Sequence, residues 1–261
     1  MYIRKAWIEK TQFHPLGEQE VLLEVLSRCR QEIERGVLPV VVFDLDSTLF
    51  DVSKRSFQIL KEWLTHPESG TFHETREKLA SLEPADMRYS LEDVWEIKKI
   101  PGDVPPYDHH LKHAKRFWRA RFFANDYLRH DEPTPGAVEF VKSLYDSGVM
   151  IVYLTGRDVP LMAFGTFDQL KFHGLPIEIE RTRLILKPKR HLDDLDFKTG
   201  AARTISGFGK VIASFENEPK NLVAMKEVFP ADTMNVFIET VSSDHPAPSG
   251  AGIYRIREFH F

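Results

Sequence analysis

The sequence contains a single cysteine, no long apolar run and little net charge. Among its 261 residues, Cys29 is the one thiol, which excludes an internal disulfide and a zinc site built from cysteines. No stretch is long and apolar enough to span a bilayer, and residues 1–10 lack the apolar core of a signal peptide. A formal net charge of -4 provides no general attraction for nucleic acid or an anionic membrane. We therefore expect a cytoplasmic protein without nucleic-acid or membrane partners, and the oligomeric state stays open.

One short segment organises the interpretation of the chain. Residues 40–43 read Val-Val-Val-Phe, and Asp44 and Asp46 follow at once. An uninterrupted apolar run of this kind predicts a strand buried on both faces of a parallel sheet. Because ligands bind at the carboxyl ends of such strands, the two aspartates are expected on the floor of a crevice. Neighbouring carboxylates favour a cation such as Mg²⁺, and one of them can attack phosphorus. In isolation, the same residues are equally compatible with a strand end and a helix N-cap.

Strands and helices alternate through the second half of the chain. The predicted strands are 149–154, 183–186, 211–215 and 235–238, with a further edge strand at 252–256 and helices at about 19–36, 160–173 and 197–206. This alternation predicts an α/β fold with a Rossmann-like three-layer core and a mainly parallel sheet.

Residues 52–131 have a different character. Helical patterns there are broken by prolines, including the Pro105-Pro106 pair, and no convincing strand is present. We expect an inserted α-helical domain in this span and a core domain formed by residues 1–51 and 132–261. Its last predicted helix, at about 108–130, interleaves basic and aromatic residues. These form either a solvated basic face over an aromatic packing stripe or a surface that holds the anionic part of a substrate.

Polar residues follow three of the predicted strands. They are the aspartate pair, Thr155 beside Gly156, and Glu216. Because parallel strands end at one edge of a sheet, all are expected in the same crevice. Phosphoryl transfer needs a nucleophile, a metal, donors to the phosphate oxygens and a cation. Lys198, in the helix before the fourth strand, can supply the cation, although a surface position is the alternative.

In order and spacing, these motifs resemble those of the haloacid dehalogenase-like hydrolase superfamily. The matching elements are Asp44-Leu45-Asp46-Ser47-Thr48-Leu49, Leu154-Thr155-Gly156-Arg157, a lysine, and an acidic group after a strand. The resemblance covers about residues 40–50 and 133–240. It implies a Rossmann-like core with a helical cap, and the second aspartate resembles the phosphatase branch.

The resemblance also implies a role for each site residue. By this resemblance, Asp44 is the nucleophile and Asp46 is the general acid and base. Thr155 with Gly156 binds the phosphate, and Lys198 is the cation beside the nucleophile and the phosphate. Glu216 is a Mg²⁺ ligand, together with Asp44 and the backbone carbonyl of Asp46.

Two departures from the family pattern leave alternatives open. The fourth motif carries glutamates where the family usually has aspartates, so Glu218 or Asn221 can share the metal with Glu216. Lys187 and Lys189 compete with Lys198 for the role of the cation. Lys198 is preferred because it begins a helix shortly before the fourth strand.

The sequence therefore predicts a Mg²⁺-dependent phosphatase that hydrolyses a small phosphorylated metabolite through an aspartyl-phosphate. One alternative is a phosphotransferase of the same superfamily, in which an alcohol replaces water. Another is a catalytically weak member with a binding or regulatory role, which would be favoured if Glu216 faced away from the crevice.

Overall fold

The computed structural model describes residues 2–101, 109–243 and 250–261. Its helices are α1 (Tyr2–Lys10), α2 (Glu18–Glu34), α3 (Ser53–Thr65), α4 (His73–Leu79), α5 (Leu91–Ile97), α6 (His110–Phe122), α7 (Ala137–Asp146), α8 (Val159–Phe172), α9 (Asp194–Ile205) and α10 (Pro219–Lys226). Its strands are β1 (Gln12–Phe13), β2 (Pro39–Phe43), β3 (Phe50–Asp51), β4 (Glu132–Pro133), β5 (Met150–Asp158), β6 (Thr182–Lys187), β7 (Lys210–Glu216), β8 (Met234–Ile238) and β9 (Ala251–Ile256). Short 3₁₀ helices span Pro67–Ser69, Pro84–Asp86 and Asn125–His130.

Seven strands form one parallel sheet in the order β1-β9-β8-β7-β2-β5-β6. Every residue of β2 is buried, as its uninterrupted apolar run predicts. Val41 and Phe43 join an apolar cluster that includes residues of α2 and α7, whereas Val40 and Val42 join one that includes residues of α9 and α10. Alternate side chains of the central strand thus pack against helices on opposite faces. The predicted Rossmann-like three-layer α/β core is confirmed.

The end of the sheet beyond β8 differs from the prediction. Strand β9 is not an edge strand, because β1 pairs with it on its outer side. The two-residue β1 is too short to show the alternation of apolar and polar residues that marks a strand. Helix α1 packs over it, with Trp7 against Phe13 and Phe237. Within the three described ranges, no helix is both long and apolar enough to cross a membrane.

A helical segment lies between β3 and β4, which pair with each other as a short antiparallel ribbon. Helices α3 to α6 bury their own apolar cluster, centred on Trp63 and Trp95 and separate from the clusters of the sheet. The basic helix ends at Phe122, since Phe123 leaves the helical region with φ -98° and ψ 47°. The prediction of one helix to residue 130 is therefore wrong. The Pro105-Pro106 pair lies outside the described residues, and the division into two domains stays a prediction.

Two helical glycines provide a matched test of this packing. A Cβ at Gly165 in α8 would lie 2.5 Å from the carbonyl oxygen of Asn125, whereas a Cβ at Gly200 in α9 would meet nothing within 4 Å. We expect Gly165→Ala to lower the free energy of unfolding by about 1–3 kcal/mol through overpacking. Gly200→Ala is expected to raise it by about 0.4–1 kcal/mol, because alanine restricts the unfolded chain. Urea unfolding measures both, and changes of the same sign would contradict the close approach at Gly165.

Candidate active site

A tight loop carries the two aspartates away from the end of β2. The backbone N–H of Asp44 still pairs with the sheet, donating to the carbonyl of Phe215 at 3.0 Å. Beyond it, Phe50 N donates to the Leu45 carbonyl at 2.9 Å, and Ser47 N donates to the Phe50 carbonyl at 2.7 Å. Ser47 takes a φ of 60°, a left-handed conformation that few residues adopt, and this closes the turn. Both carboxylates are thereby kept at the carboxyl edge of the sheet.

Lys198 joins the ends of two neighbouring strands. Its Nζ donates to Asp44 Oδ1 and to Glu216 Oε2, each at 2.6 Å. The lysine is 3% exposed and Glu216 is fully buried at the end of β7. Lys187, the alternative cation, donates instead to Asp194 at 2.5 Å. The structure thus brings together Asp44, Lys198 and Glu216, and it places Lys187 on a different partner.

The electrostatics of this group reflect its burial. Burial, followed by the charge of Glu216, raises the pKa of Asp44 to about 7, while Lys198 opposes the rise. Burial also raises the pKa of Glu216 against the same lysine. Burial alone would lower the pKa of Lys198, but the two carboxylates raise it, so the amine stays protonated.

Asp46 points to a second set of cations. Its Oδ1 accepts hydrogen bonds at 2.6 Å from Nη2 of Arg55 and from Nη2 of Arg157. Both arginines also donate to Asp131 Oδ2, at 2.5 and 3.0 Å respectively, and all three of these partners are buried. Although burial opposes it, Arg157 and Arg55 hold the pKa of Asp46 well below its usual range. The Asp46 carboxylate is therefore ionised in this arrangement.

Arg55, Arg157 and Asp131 are absent from the site predicted by sequence. Arg55 carries the one available signal, since it lies in the apolar stripe of α3, one turn before Ile59 and two turns before Trp63. Arg157 belongs to the quoted Thr-Gly-Arg motif, but the motif itself assigns it no partner. Asp131 follows a polar segment and has no local pattern that sets it apart.

Thr155 and Gly156 lie on β5, beside the Asp44 loop. Thr155 is buried, and its Oγ1 accepts from the backbone N–H of Arg157 at 3.2 Å. A Cβ at Gly156 would lie 2.7 Å from Asp194 Oδ2, so the glycine leaves room for that carboxylate. Both residues line the same cavity as Asp44. A strand-end hydroxyl and an open backbone suit a phosphate oxygen.

The other acidic-motif residues have distinct surroundings. Glu218 accepts from the backbone N–H and the hydroxyl of Ser243, at 2.7 and 2.5 Å. The Asn217 amide oxygen accepts from the Thr48 hydroxyl at 3.2 Å. Asn221 lines the cavity. Unlike Glu218 and Asn217, the Asn221 side chain makes no hydrogen bond to another residue within the described ranges.

The donor set at the floor fits a hard divalent cation. Asp44 Oδ1 and Glu216 Oε2 both lie 2.6 Å from Lys198 Nζ, so two buried carboxylates share a single positive charge, and the group keeps a negative charge when both are ionised. Across the parts of the chain that are described, no group of three histidine, cysteine or acidic side chains is placed to hold a metal. Mg²⁺ commonly takes only one or two carboxylates and completes its shell with water and phosphate oxygens. Mg²⁺ therefore suits these residues.

A cavity of about 530 Å³ lies above this floor. Its lower wall is formed by Lys198 of α9 and by residues at the carboxyl edge of the sheet, namely Asp44, Asp46, Thr155, Gly156 and Glu216. Its outer wall comes from the helical segment and neighbouring loops, through Arg88, Tyr89, Glu92, Lys115, Trp118, Arg119, Phe122, Phe123 and Arg190. The predicted site residues thus line one cavity that has a basic and aromatic outer wall.

Comparison with known sequences identifies the family. A sequence model of the haloacid dehalogenase-like hydrolases matches residues 38–192, more than half of the chain. The chain belongs to this family. The match includes β2, the Asp44 loop, the helical segment and β5, so it covers most of the candidate site. Among curated proteins, none matches the sequence at a significant level.

Comparison with solved structures also gives matches over most of the chain. A proposed phosphatase from Clostridium difficile matches with a TM-score of 0.50 at 13% identity, over 82% of this chain and 94% of that one. A HAD-superfamily hydrolase from Ehrlichia chaffeensis matches with a TM-score of 0.47 at 12% identity, over 84% and 91%. A subfamily IA hydrolase from Geobacter sulfurreducens matches with a TM-score of 0.47 at 14% identity, over 85% and 93%. The first of these shows a shared fold.

The paired arginines make a prediction about stability. Arg55→Met leaves the fully buried Asp131 carboxylate with Arg157 as its remaining cationic partner. We expect the free energy of unfolding to fall by about 3–5 kcal/mol, as when one member of a buried ion pair is removed. The double variant Arg55→Met/Asp131→Asn should recover part of this loss, because the surplus charge is gone. Guanidinium unfolding measures both, with Arg35→Met at an exposed pair as the control. A double variant no more stable than Arg55→Met would contradict the assignment.

Proposed function

We propose that this chain is a Mg²⁺-dependent phosphatase that hydrolyses a small phosphate monoester through an aspartyl-phosphate on Asp44. The observation that carries the proposal is the position of Lys198 between Asp44 and Glu216. Thr155 lies on the adjacent strand β5, in the same cavity. A carboxylate on one strand, a hydroxyl on the next and a cation fixed by helix α9 are parts that phosphoryl transfer needs.

Asp44 is the proposed nucleophile. Within the described residues, its carboxylate accepts one hydrogen bond, from Lys198 Nζ to Oδ1. This leaves Oδ2 for attack on phosphorus. The new bond between Oδ2 and phosphorus forms as the ester oxygen leaves, and Lys198 holds the carboxylate in place and offsets the charge. Asp44, Glu216 and the backbone carbonyl of Asp46 would hold Mg²⁺, which when bound supplies positive charge beside the transferred phosphoryl group.

Asp46 is the proposed acid and base. It gives a proton to the departing ester oxygen and then takes one from the water that hydrolyses the aspartyl-phosphate, so the net products are an alcohol and inorganic phosphate. Arg55 and Arg157 favour its ionised form, which suits the second step. The first step is the harder one for this carboxyl, because it requires the protonated form.

We also propose that residues 52–131 form a cap domain over a core of residues 1–51 and 132–261. Residues of the helical segment line the same cavity as Asp44, which supports this division. A cap in this position excludes water from the reacting phosphate and selects the substrate by the shape and charge of its own wall.

The orientation of Glu216 bears on the binding or regulatory alternative. Glu216 lines the cavity and is bonded to Lys198, which supports catalysis over a purely regulatory role. A phosphotransferase would use the same residues, with an alcohol in place of water. ³¹P NMR of the products, with and without added glycerol, separates hydrolysis from transfer.

Substitution of the nucleophile tests the reaction. We expect the wild type to release phosphate from p-nitrophenyl phosphate with Mg²⁺ and to stop when EDTA is present. Asp44→Asn should lower kcat by at least about three orders of magnitude, since the amide cannot attack phosphorus. The control is Asp168→Asn, an exposed residue of α8 outside the cavity, which should keep full activity. Metal-independent turnover, or turnover that survives Asp44→Asn, would contradict the proposal.

Leaving-group chemistry tests the role of Asp46. A nitrophenolate departs without a proton, whereas an alkoxide needs one. Asp46→Asn should therefore lower kcat by about 10²–10⁴-fold on an alkyl phosphate such as glycerol 3-phosphate. The loss of phosphorylation rate on p-nitrophenyl phosphate, measured as the burst of nitrophenolate, should be much smaller. Equal losses on the two esters would show that Asp46 does not protonate the leaving oxygen.

A further inference from the structure

The outer wall of the cavity has a charge opposite to that of its floor. The floor carries the carboxylates described above, while the wall carries Arg88, Lys115, Arg119 and Arg190. Glu92 is the acidic residue that the helical segment adds to this wall, and it is paired with Lys115. Asp194, close to Arg190 in the chain, also lines the cavity and is paired with Lys187. Within the part of the chain that is described, Arg119 has no carboxylate partner. The wall thus has a surplus of positive charge that faces a bound substrate.

Aromatic rings lie among these cations. Trp118 and Phe122 stack with their ring centroids 4.2 Å apart and their planes 24° from parallel. On Phe122, the Arg55 guanidinium lies 4.2 Å from the ring centroid. Trp118 Nε1 donates to the Ser56 hydroxyl at 3.2 Å, which fixes the ring and satisfies its one polar atom. Trp118 therefore offers the cavity an apolar ring surface in a fixed orientation.

A second aromatic group completes this wall. Phe123 stands nearly perpendicular to Trp118, at 81° with centroids 6.0 Å apart. The guanidinium of Arg190 lies 5.2 Å from the Phe123 centroid. A flat ring that stacks on Trp118 would therefore meet an aromatic edge and a cation at its border.

A basic face turned to solvent accounts for Arg116 of α6, but it does not account for the cavity-lining residues Trp118 and Arg119. Arg116 is strongly exposed and lies outside the cavity lining, as a surface cation does. Arg119, three residues later, lines the cavity together with Trp118 and Phe122. The helix α6 thus places Arg119 at the cavity and Arg116 away from it, although both side chains are exposed to solvent.

From this wall we infer that the substrate is a nucleotide that bears a second phosphate, such as a nucleoside bisphosphate. This inference rests on the proposed phosphatase function. One phosphate would lie at Asp44 and Thr155, and the base would stack on Trp118. The second phosphate would pair with Arg119 and the other arginines of the outer wall. A simple sugar phosphate would leave the aromatic surface and the surplus charge unused. A cavity of about 530 Å³ lies within the range of small-molecule sites.

Steady-state kinetics with matched esters tests the inference. The substrates are adenosine 3′,5′-bisphosphate, the two adenosine monophosphates and ribose 5-phosphate. We expect KM to be lowest for the bisphosphate and highest for ribose 5-phosphate. Trp118→Ala should raise KM about tenfold or more for the adenine-bearing esters, the scale of base stacking, and leave ribose 5-phosphate unchanged. Arg119→Gln should raise KM about two- to fivefold for the bisphosphate alone.

Arg116→Gln is the matched control, and it should change none of these values. A structural defect would weaken all four esters together, so equal losses in Trp118→Ala would overturn the inference. Phosphate release without preference for the adenine-bearing esters would overturn it while leaving the phosphatase function intact.

A binding measurement separates the two proposals if no ester is hydrolysed. In that case the phosphatase function fails, and isothermal titration of the wild type decides the ligand. Tighter binding of the bisphosphate than of ribose 5-phosphate, lost in Trp118→Ala, would support the inference. Equal or absent binding would overturn it.

Discussion

Several carboxylates are buried at one edge of the sheet, and the rest of the site depends on how their charge is balanced. Asp44 and Glu216 share Lys198, and Asp46 and Asp131 share Arg55 and Arg157. A buried carboxylate without such a partner would either take up a proton or destabilise the fold. The partners differ in kind. The lysine is one point charge between two carboxylates, while the arginines form a planar network with several donors each. Among the described residues, Asp44 accepts one hydrogen bond, from Lys198 on Oδ1, whereas Asp46 Oδ1 accepts from both arginines at once.

This division of cations links the two parts of the molecule. Arg55 lies on α3 of the helical segment, and Arg157 lies on β5 of the sheet. Their shared partner Asp131 immediately precedes β4, where the chain returns to the sheet. The Asp46 carboxylate therefore receives hydrogen bonds from both sides of the cavity at once. The two parts also pack directly, because Asn125 lies against Gly165 of α8.

Much of the core was accessible from sequence because its signals are local. The all-apolar run of β2 and the polar residues after β5 and β7 are contiguous in the chain, and a parallel sheet necessarily brings their ends together. Other features depend on contacts between distant segments. Nothing near β9 indicates that the two-residue β1 would cover its edge. The sequence prefers Lys198 but leaves Lys187 as an alternative, and the fold places the two lysines on different carboxylates. The network around Asp46 joins residues up to 111 positions apart, which no spacing rule encodes.

The ribbon of β3 and β4 has a mechanical consequence. Both passages of the chain between the sheet and the helical segment run side by side there, as β3 and β4 pair over two residues each. Because the two strands are paired, sliding of one past the other would break their hydrogen bonds. A bend of the ribbon would not, so it is the simpler movement of the helical segment relative to the sheet. Arg55 lies about one helical turn beyond this ribbon, so a given bend displaces it little, because displacement grows with distance from the ribbon. Parts of the outer wall farther from the ribbon travel more. Any bend of this ribbon would therefore change the mouth of the cavity more than the contact between Arg55 and Asp46.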